Sequence, residues 1–510
     1  MKKQFTFGNI YLTLFHFSFL FISISTLSQP GLLDQTFGTG GKVKISISNC
    51  NSECRAMVLQ TDGKMVLAGS NYSCSNTRMA LIRLNKNGSL DNSFGVGGNV
   101  IDTFPGIYVS QAHAVAVQSD GKIIVGGEAQ DGTGSDLILV RYNSDGTRDN
   151  TFGNSGVVIT DLGSTQESCY SLAIQPDGKI ITGGHIIQNN KTDALLIRYN
   201  TQGAIDSSFG TNGISTISLG STLWGAIFTI KIQPNGKIVV SGRETGATNN
   251  YKFLLMRFNV NGFLDSSFGA NGINITSIGD INDTRDMAIQ NDGKIIQAGY
   301  ARFGSDGEYA LVRFNNDGTI DNSFGVSGIV TSYFGLVNQG DVICSIKIQQ
   351  DGKVIACGET TKTSFGDIAL VRYKPNGTID STFGTNGQVI TDILNIDHVY
   401  TAALQMDNKV VIAGSGFNGS NNITVAARYN LEPKAGIGKI SYASQFYIYP
   451  SPAKSSIEIS IPEINSEGIL YISNALGDIV LENKINLSHS NQIDIKPFQP
   501  GFYFVKVEIG

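Results

Sequence analysis

The phrase LDQTFGTGG at residues 33–41 decides the fold, because it returns six times along the chain. The further copies are LDNSFGVGG at 90–98, RDNTFGNSG at 148–156, IDSSFGTNG at 205–213, LDSSFGANG at 264–272, IDNSFGVSG at 320–328 and IDSTFGTNG at 379–387. Their phenylalanines at 37, 94, 152, 209, 268, 324 and 383 lie 57, 58, 57, 59, 56 and 59 residues apart. The chain is therefore a repeat with seven copies.

Two further phrases keep the same spacing. DGK begins at 62, 120, 177, 292 and 351, with NGK at 235 and DNK at 407, and an arginine recurs at 83, 141, 198, 257, 313, 372 and 428. In LAIQPDGKIITGG at 172–184, Pro176 and Asp177 suit the corner of a tight turn, and Gly178 supplies a left-handed residue. We expect four short strands in each copy, the first two joined by this hairpin.

Four strands repeated every 58 residues or so predict an all-β fold, a seven-bladed β-propeller over residues 31–430. A solenoid is the alternative, but its repeats are usually 20–45 residues long and its end repeats are atypical. Residues 41–46 form a fourth strand that the last copy lacks. We therefore expect them to pair with residues 423–429 and to close the ring.

The three phrases together resemble the delta-60 repeat of bacterial exported proteins, over residues 31–430. This resemblance implies a propeller-like, exported protein. It implies no particular reaction, because the family is defined by its sequence pattern.

Residues 1–29 have the form of a secretory signal peptide. Lys2 and Lys3 precede an apolar stretch from about Ile10 to Leu27, and Thr26 and Ser28 are placed like the small residues before a cleavage site. An uncleaved membrane anchor is the alternative, and it is disfavoured because the repeats begin directly after Pro30. We expect a secreted or cell-surface protein that passes through the periplasm.

Composition narrows the function classes. The net charge is −5 and no Lys/Arg cluster is present, which argues against a nucleic-acid partner. Zinc spacings, P-loops, nucleophile elbows and dinucleotide fingerprints are all absent from the sequence. We therefore predict no metal, no cofactor and no catalytic residues, although whether the protein is an enzyme stays open.

Residues that recur in every copy are expected to be structural. The repeated aspartates are predicted to bond the backbone of their own turns rather than form a ring of metal ligands, and the repeated arginines to bind turn carbonyls or carboxylates within a blade. Unrepeated carboxylates leave open a polysaccharide hydrolase or lyase site. These are Asp102, Asp161, Asp280, Asp341, Asp392 and Asp397.

Strand order predicts where a ligand binds. The two stereotyped turns lie at one end of each blade, so all the variable connections lie at the other end, where binding residues are commonly found. We expect a noncatalytic binding or adhesion protein that presents this variable-loop face to a carbohydrate or a protein. The candidate ligand-binding residues are Tyr108, His185, Trp224, Arg243, Tyr300 and Phe303.

Six cysteines in an exported chain permit disulfides. Counting outward from the hairpin at Asp62 places Cys50 opposite Cys74, with Cys54 as a competing partner. The same count at Asp351 places Cys344 opposite Cys357, with two free buried thiols as the alternative. Cys169 has no evident mate.

After residue 430 the repeat stops, and residues 431–445 are predicted to be a linker. Residues 446–510 predict a small C-terminal β-sandwich. They resemble the C-terminal sorting domain of the type IX secretion system, through YPSP, an N-x-x-G-x-x-V hairpin and GFYFVKV. The matching residues are Tyr449, Pro450, Pro452, Gly477 and Gly501. This resemblance implies a partner in the outer-membrane secretion machinery.

Overall fold

A computed structural model describes most of the 510-residue chain. The described residues are 27–47, 50–72, 76–219, 224–245, 250–334, 340–361, 366–394, 396–432, 434–435, 447–449, 455–460, 467–474, 478–486, 488–499 and 503–509. The chain divides into two compact units, one of Gln29–Glu432 and one of Met1–Ser28 with Pro433–Gly510. In the part that is described, no helix is long and apolar enough to cross a membrane.

Strands of the larger unit fall into groups of four, which we number as units 1–7. Units 1–3 contain β3 Asn51–Leu59, β4 Met65–Tyr72, β5 Thr77–Leu84 and β6 Asn99–Ile101; β7 Val109–Val117, β8 Ile123–Gln130, β9 Ser135–Tyr142 and β10 Val157–Thr160; and β11 Gln166–Ile174, β12 Ile180–Gln188, β13 Lys191–Tyr199 and β14 Ile214–Ile217. Single parallel bridges join these three units into one sheet of 12 strands.

The next three units are separate four-stranded sheets. They contain β15 Trp224–Ile232, β16 Ile238–Thr245, β17 Tyr251–Phe258 and β18 Ile273–Thr276; β19 Ile281–Ile289, β20 Ile295–Phe303, β21 Asp306–Phe314 and β22 Ile329–Ser332; and β23 Val342–Ile348, β24 Val354–Thr360, β25 Asp367–Tyr373 and β26 Gln388–Thr391.

Unit 7 is built from both ends of the repeat region. Its strands are β27 Asp397–Gln405, β28 Lys409–Phe417 and β29 Asn422–Asn430, and its fourth strand is the early β2 Lys42–Ile45. Lys42 pairs with Ala427 and Ile45 with Thr424 in antiparallel register. The predicted pairing of 41–46 with 423–429 is therefore confirmed.

The all-β propeller class is also confirmed, while the number of blades stays a prediction. Packing between the units supports the ring: a single buried cluster joins Phe37, Leu67 and Ile82 to Val411 and Ala426 of unit 7. Buried side chains from neighbouring units form several such clusters. A repeat array therefore has many small cores between adjacent units instead of one large core.

Hairpin chemistry follows the sequence. Gly178 has a φ of 83° and its amide donates to the Gln175 carbonyl at 2.9 Å, while Asp177 accepts the amide of Lys179 at 3.2 Å. The predicted left-handed glycine is therefore confirmed in this turn.

Asp149 shows what the repeated aspartate does. One carboxylate oxygen accepts the amide of Thr151 at 3.1 Å and its hydroxyl at 2.7 Å, so the prediction of a bond to its own turn is confirmed. The other oxygen accepts Nε of Arg141 at 2.7 Å. Nη1 of this arginine reaches the Thr201 carbonyl of unit 3 at 2.6 Å, which the sequence did not predict. The repeated arginine therefore joins neighbouring units as well as bracing its own.

The smaller unit is described by itself. Its strands are β1 Leu27–Ser28 paired with β30 Lys434–Ala435, then β31 Tyr447–Tyr449, β32 Ser456–Ser460, β33 Glu467–Asn474, β34 Ile479–Asn486, β35 Asn491–Asp494 and β36 Tyr503–Ile509. Two three-stranded sheets, β31-β32-β35 and β34-β33-β36, share a buried apolar core that includes Ile457, Leu470, Ile472 and Val507. The predicted β-sandwich is confirmed.

Several predictions fall on residues outside the described ranges. These are the signal peptide apart from its last residues, most of the linker, and Cys74, Pro450, Pro452, Gly477 and Gly501. Tyr449 lies in strand β31, and its side chain is not among those described.

Candidate functional site

The first strand of every unit carries a β-bulge near its middle. In β11 the pairing register with β12 shifts between Cys169 and Ser171, so Tyr170 has no partner and bulges. The bulged residues are Arg55, His113, Tyr170, Phe228, Arg285, Cys344 and Tyr400. A bulge re-aims one side chain, and here it does so at the same position in all seven units.

A glycine on the second strand makes each bulge possible. A Cβ added at Gly184 would lie 1.8 Å from the Ser168 carbonyl oxygen, and the equivalent glycines approach the equivalent carbonyls at 1.8–2.0 Å. These glycines are Gly69, Gly127, Gly184, Gly242, Gly299, Gly358 and Gly414. The glycine repeated in the second strand is therefore required by backbone contact.

We expect Gly184→Ala to lower the free energy of unfolding by about 3 kcal/mol, because the methyl group would overlap a backbone oxygen that cannot move without breaking the bulge. Urea unfolding of the purified protein measures the change. Gly340→Ala is the control: no atom lies within 4 Å of its added Cβ, so its effect should be within about 1 kcal/mol and stabilising. Equal midpoints for the two variants would contradict this account of the bulge.

The residue after each of these glycines faces the bulge and also varies. His185 is paired in register with Ser168, and Arg243 with Ala226. The seven residues are Ser70, Glu128, His185, Arg243, Tyr300, Glu359 and Ser415. Together with the bulged residues and their neighbours two positions earlier, they form what we call the axial ring.

One sector of the axial ring is aromatic. The ring of Tyr170 meets that of His113 edge-on at 5.4 Å, stacks on His185 at 5.4 Å, and lies 5.5 Å from Phe228. The guanidinium of Arg243 lies over Phe228 at 5.4 Å. Units 2, 3 and 4 thus contribute to one continuous aromatic wall.

The next sector is charged. Asp283 forms an ion pair with Arg285 at 2.8 Å and lies 3.5 Å from Arg243, and His398 Nδ1 lies 2.8 Å from the Glu359 carboxylate. The exposed fractions of the Arg243, Arg285 and His398 side chains are 33%, 46% and 45%. These paired groups therefore remain within reach of a ligand from solvent.

Arg55 of unit 1 contacts axial-ring residues of both neighbouring units, His113 of unit 2 and Tyr400 of unit 7. Its guanidinium binds Glu53 at 2.5 Å, lies 6.0 Å from the Tyr400 ring, and donates to Nδ1 of His113 at 3.4 Å. Tyr72 also donates to Glu53. Because arginine only donates, Nδ1 of His113 is the acceptor in this hydrogen bond.

Burial favours the uncharged forms of His185 and Tyr170 in the aromatic sector. Burial, with a contribution from the positive charge of Arg243, lowers the pKa of His185 to about 4, and burial raises the pKa of Tyr170. In the charged sector, the hydrogen bond to Glu359 raises the pKa of His398. Near neutral pH His185 and Tyr170 are therefore uncharged, while the charged sector carries ion pairs.

Three of the six predicted ligand-binding residues lie in the axial ring: His185, Arg243 and Tyr300. Tyr108 and Phe303 lie instead at strand ends on the predicted loop face, 60% and 40% exposed. Trp224 begins β15, and its side chain is outside the described residues.

Sequence reasoning missed the bulged residues because it looked for unrepeated residues in loops. A signal existed, since each bulged residue stands seven positions before the Asp or Asn of its DGK-type turn. At that position the sequence shows Arg, His, Tyr, Phe, Arg, Cys and Tyr, while its surroundings repeat. A position that varies within an otherwise repeated strand therefore indicates a candidate binding site, just as a variable loop does.

Bulging also changes the predicted cysteine pairing. Cys357 pairs in register with Ser345, not with Cys344, because Cys344 is the bulged residue of unit 6. Both are free thiols in the structure, as are Cys50, Cys54 and Cys169. The disulfides stay a prediction, and the strand register gives Cys344 and Cys357 no direct pairing.

The unrepeated carboxylates mostly serve the chain itself. Asp102 accepts Tyr142 at 2.7 Å and Nε of Arg148 at 2.8 Å. Asp397, 0% exposed, accepts the amide of Ile393 at 2.6 Å. Burial raises the pKa of Asp397 to about 6, but a buried carboxyl group is out of reach of a polysaccharide.

Two sets of three carboxylates could converge on a cation, with one oxygen of each residue within 4.8 Å of the others. They are Asp136, Asp161 and Glu167, and the equivalent Asp367, Asp392 and Asp397. Glu167 already accepts the amide of Leu162, and Asp397 accepts the amide of Ile393.

Two protein-family models match the chain, one in the repeat region and one at the C-terminus. The model described as a domain of unknown function (DUF5122) beta-propeller matches residues 60–94, 118–152, 175–209, 233–268, 290–324 and 349–383. The chain therefore contains six DUF5122 β-propeller repeats. A secretion system C-terminal sorting domain matches residues 447–510. The DUF5122 protein is therefore exported to a secreted or cell-surface location and engages the type IX secretion machinery.

Solved structures similar to this DUF5122 protein share little sequence with it. A Dyadobacter fermentans protein of unknown function is 10% identical, with a TM-score of 0.42 over 77% of this chain and 98% of that one. Virginiamycin B lyase from Staphylococcus aureus is 10% identical, with a TM-score of 0.40 over 76% and 98%. The polysaccharide lyase Uly1 is 11% identical, with a TM-score of 0.43 over 81% and 99%. No curated protein matches the chain.

Proposed function

We propose that this DUF5122 protein is an exported, noncatalytic carbohydrate-binding protein whose axial ring holds the ligand. One observation carries the proposal: the bulged position holds five residue types in the seven units, at a point where the repeat fixes only the backbone. A scaffold needs no such variety. A binding site does, because each contact with an asymmetric ligand differs.

Ring chemistry supports a carbohydrate over a protein surface. The Tyr170 wall offers apolar faces, and the Asp283 and Glu359 pairs offer planar hydrogen-bonding groups, which together suit a ligand with both C–H faces and hydroxyl groups. The first strands of all units surround the ring. A recess of this kind admits a sugar chain more readily than a folded partner.

Export is part of the same proposal. Residues 1–29 act as the signal peptide, residues 31–430 form a seven-bladed ring, residues 431–445 link it to the tail, and residues 446–510 direct transport across the outer membrane. The DUF5122 repeats and the sorting domain support this division. The variable loops then form the entrance to the axial ring.

A panel of polysaccharides tests the proposal with the full mature chain. We expect retention of at least one polysaccharide with no release of reducing ends or unsaturated products. Tyr170→Leu should weaken binding by about 10- to 100-fold, because it removes the centre of the aromatic wall. Tyr108→Leu is the matched control and should bind as the parent does, since Tyr108 lies outside the ring.

Two results would overturn the proposal. Loss of binding in Tyr108→Leu but not in Tyr170→Leu would move the site to the loop face. Cleavage that disappears on replacing Asp161 or Asp392 by Asn would establish the alternative, a hydrolase or lyase using loop carboxylates.

A further inference from the structure

Below the axial ring, towards the DGK-type hairpins, a second level of side chains is almost uncharged. Three residues beyond each bulged residue, five units have small aliphatic side chains, namely Val58, Ala116, Ala173, Ala288 and Ala403. The two remaining units have Lys231 and Lys347. A pair of lysines within an otherwise aliphatic level requires an explanation beyond packing.

Lys347 has partners. Its ammonium lies 3.2 Å from the carboxylate of Asp286 and 2.7 Å from the hydroxyl of Ser345. Asp286 also accepts the hydroxyl of Ser345 at 2.8 Å and the amide of Ile346 at 2.9 Å. The single carboxylate at this level is therefore fully occupied.

Lys231 makes no hydrogen bond or ion pair in the described part of the chain, and it is exposed to solvent. The surrounding protein lowers its pKa, and the charge of Lys347 acts in the same direction against that of Asp286. Lys231, Asp286 and Lys347 belong to units 4, 5 and 6. Three successive units come together only around the axis, so this ammonium faces the axial space.

Position along the strand connects Lys231 to the ring. Phe228 and Lys231 stand three residues apart on β15, which is about 10 Å along a strand. The strand runs from the variable-loop end to the hairpin end, so a ligand entering past the loops meets the aromatic wall first and Lys231 afterwards. One sugar chain could contact both.

Charge pairing in the axial space indicates the sign of the missing group. The carboxylates of Glu53, Asp283, Glu359 and Asp286 each lie within 3.2 Å of a basic group. Glu128 accepts the hydroxyl of Ser168 at 3.0 Å and lies 3.9 Å from Nε2 of His113. Among the basic side chains at these two levels, Lys231 is the one without a partner in the described residues. At the level of Lys231, two ammonium groups face the one carboxylate of Asp286, so the excess charge there is positive.

We propose that Lys231 binds an anionic substituent of the carbohydrate, a carboxylate or a sulfate ester, so that the ligand class is an acidic polysaccharide. An anion at this point would supply the partner that the protein itself does not provide. Lys347 adds attraction from the next unit but one, while Asp286 is held in its own hydrogen bonds. This inference rests on the proposed function and specifies its ligand.

The test uses ligand pairs that differ only in charge, on the full mature chain: oligogalacturonate with its methyl ester, and a sulfated galactan oligosaccharide with its desulfated form. We expect one acidic form to bind at least about 10-fold tighter than its neutral counterpart, as one hydrogen bond to a charged group provides. Lys231→Met should remove this preference without weakening the neutral ligand. Lys191→Met, which changes an exposed lysine at the loop end, should retain it.

A direct measurement of Lys231 keeps the two proposals separable. Inorganic sulfate should raise the pKa of the Lys231 amine. NMR of the protein with isotope-labelled, dimethylated lysines measures this pKa, and the signal that disappears in Lys231→Met is assigned to Lys231. Neutral sugar binding with no effect of Lys231→Met would overturn this inference and leave the proposed function standing. A sulfate response without any sugar binding would support the anion site and reject the carbohydrate. No response to sulfate and no preference for acidic sugars would overturn the inference.

Discussion

Asp149→Ala is expected to destabilise the larger unit by about 3 to 5 kcal/mol, the cost of removing one partner from a buried ion pair. The guanidinium of Arg141 and the carboxylate of Asp149 are 7% and 6% exposed and lie 2.7 Å apart. Removing the carboxylate leaves a buried cation that also bridges to Thr201 of the next unit. The loss should therefore affect two units together, which the urea-unfolding midpoint measures.

Two further variants separate charge from turn geometry. Asp149→Asn keeps an oxygen for the amide and hydroxyl of Thr151 but removes the charge, so it should fall between Asp149→Ala and the parent. Asp120→Ala removes a 56% exposed carboxylate near the same Lys122, and it should cost less than about 1 kcal/mol. An Asp120→Ala variant as unstable as Asp149→Ala would refute the assignment.

The sign of the pH dependence follows from the pKa of Asp149. Burial alone would raise it, but hydrogen bonds from Lys122 and Thr151 and the charge of Arg141 hold the pKa well below its usual value. A carboxyl group with a lowered folded-state pKa adds stability above its unfolded pKa of about 3.9. The advantage of the parent over Asp149→Asn should therefore be complete at neutral pH and shrink as the pH falls below about 4.

Much of this fold could be predicted because the same turn and strand sequences occur in seven copies. Gly178 needs a left-handed backbone and Asp149 caps its own turn, and both effects are local. The contact from Arg141 to Thr201 could not be predicted in the same way, because it depends on how neighbouring units pack. The pairing of Lys42 with Ala427 was predictable only because one unit lacked a strand.

The candidate site was predicted less well. Sequence reasoning named His185, Arg243 and Tyr300 and placed them on loops, whereas they lie inside second strands opposite the bulges. A bulge shifts the register by one residue, and this shift changes the direction of the side chains on the bulged strand. The alternation of side chains along a regular strand does not reveal such a shift. The bulge depends on the close backbone approach at Gly184, which only the structure shows.

The sorting tail leads to the second large effect. In a host with the type IX secretion system, removing residues 443–510 should reduce the extracellular protein to background and leave the truncated chain in the periplasm. The tail has its own buried core around Ile457, Leu470 and Ile472, and it matches the sorting domain over residues 447–510. The larger unit, Gln29–Glu432, has buried clusters that contain no tail residues, so we expect it to fold without the tail.

Cell fractionation and urea unfolding together decide this last prediction. The truncated protein should keep the unfolding midpoint of the larger unit, since blade packing depends on neighbouring units alone. As a matched control, residues 443–510 fused to an unrelated periplasmic carrier should appear outside the cell. Equal amounts of truncated and full-length protein outside would refute the role of the tail in this chain. A truncated protein that fails to fold would show instead that the two units stabilise one another, and export would then have to be judged from the carrier fusion.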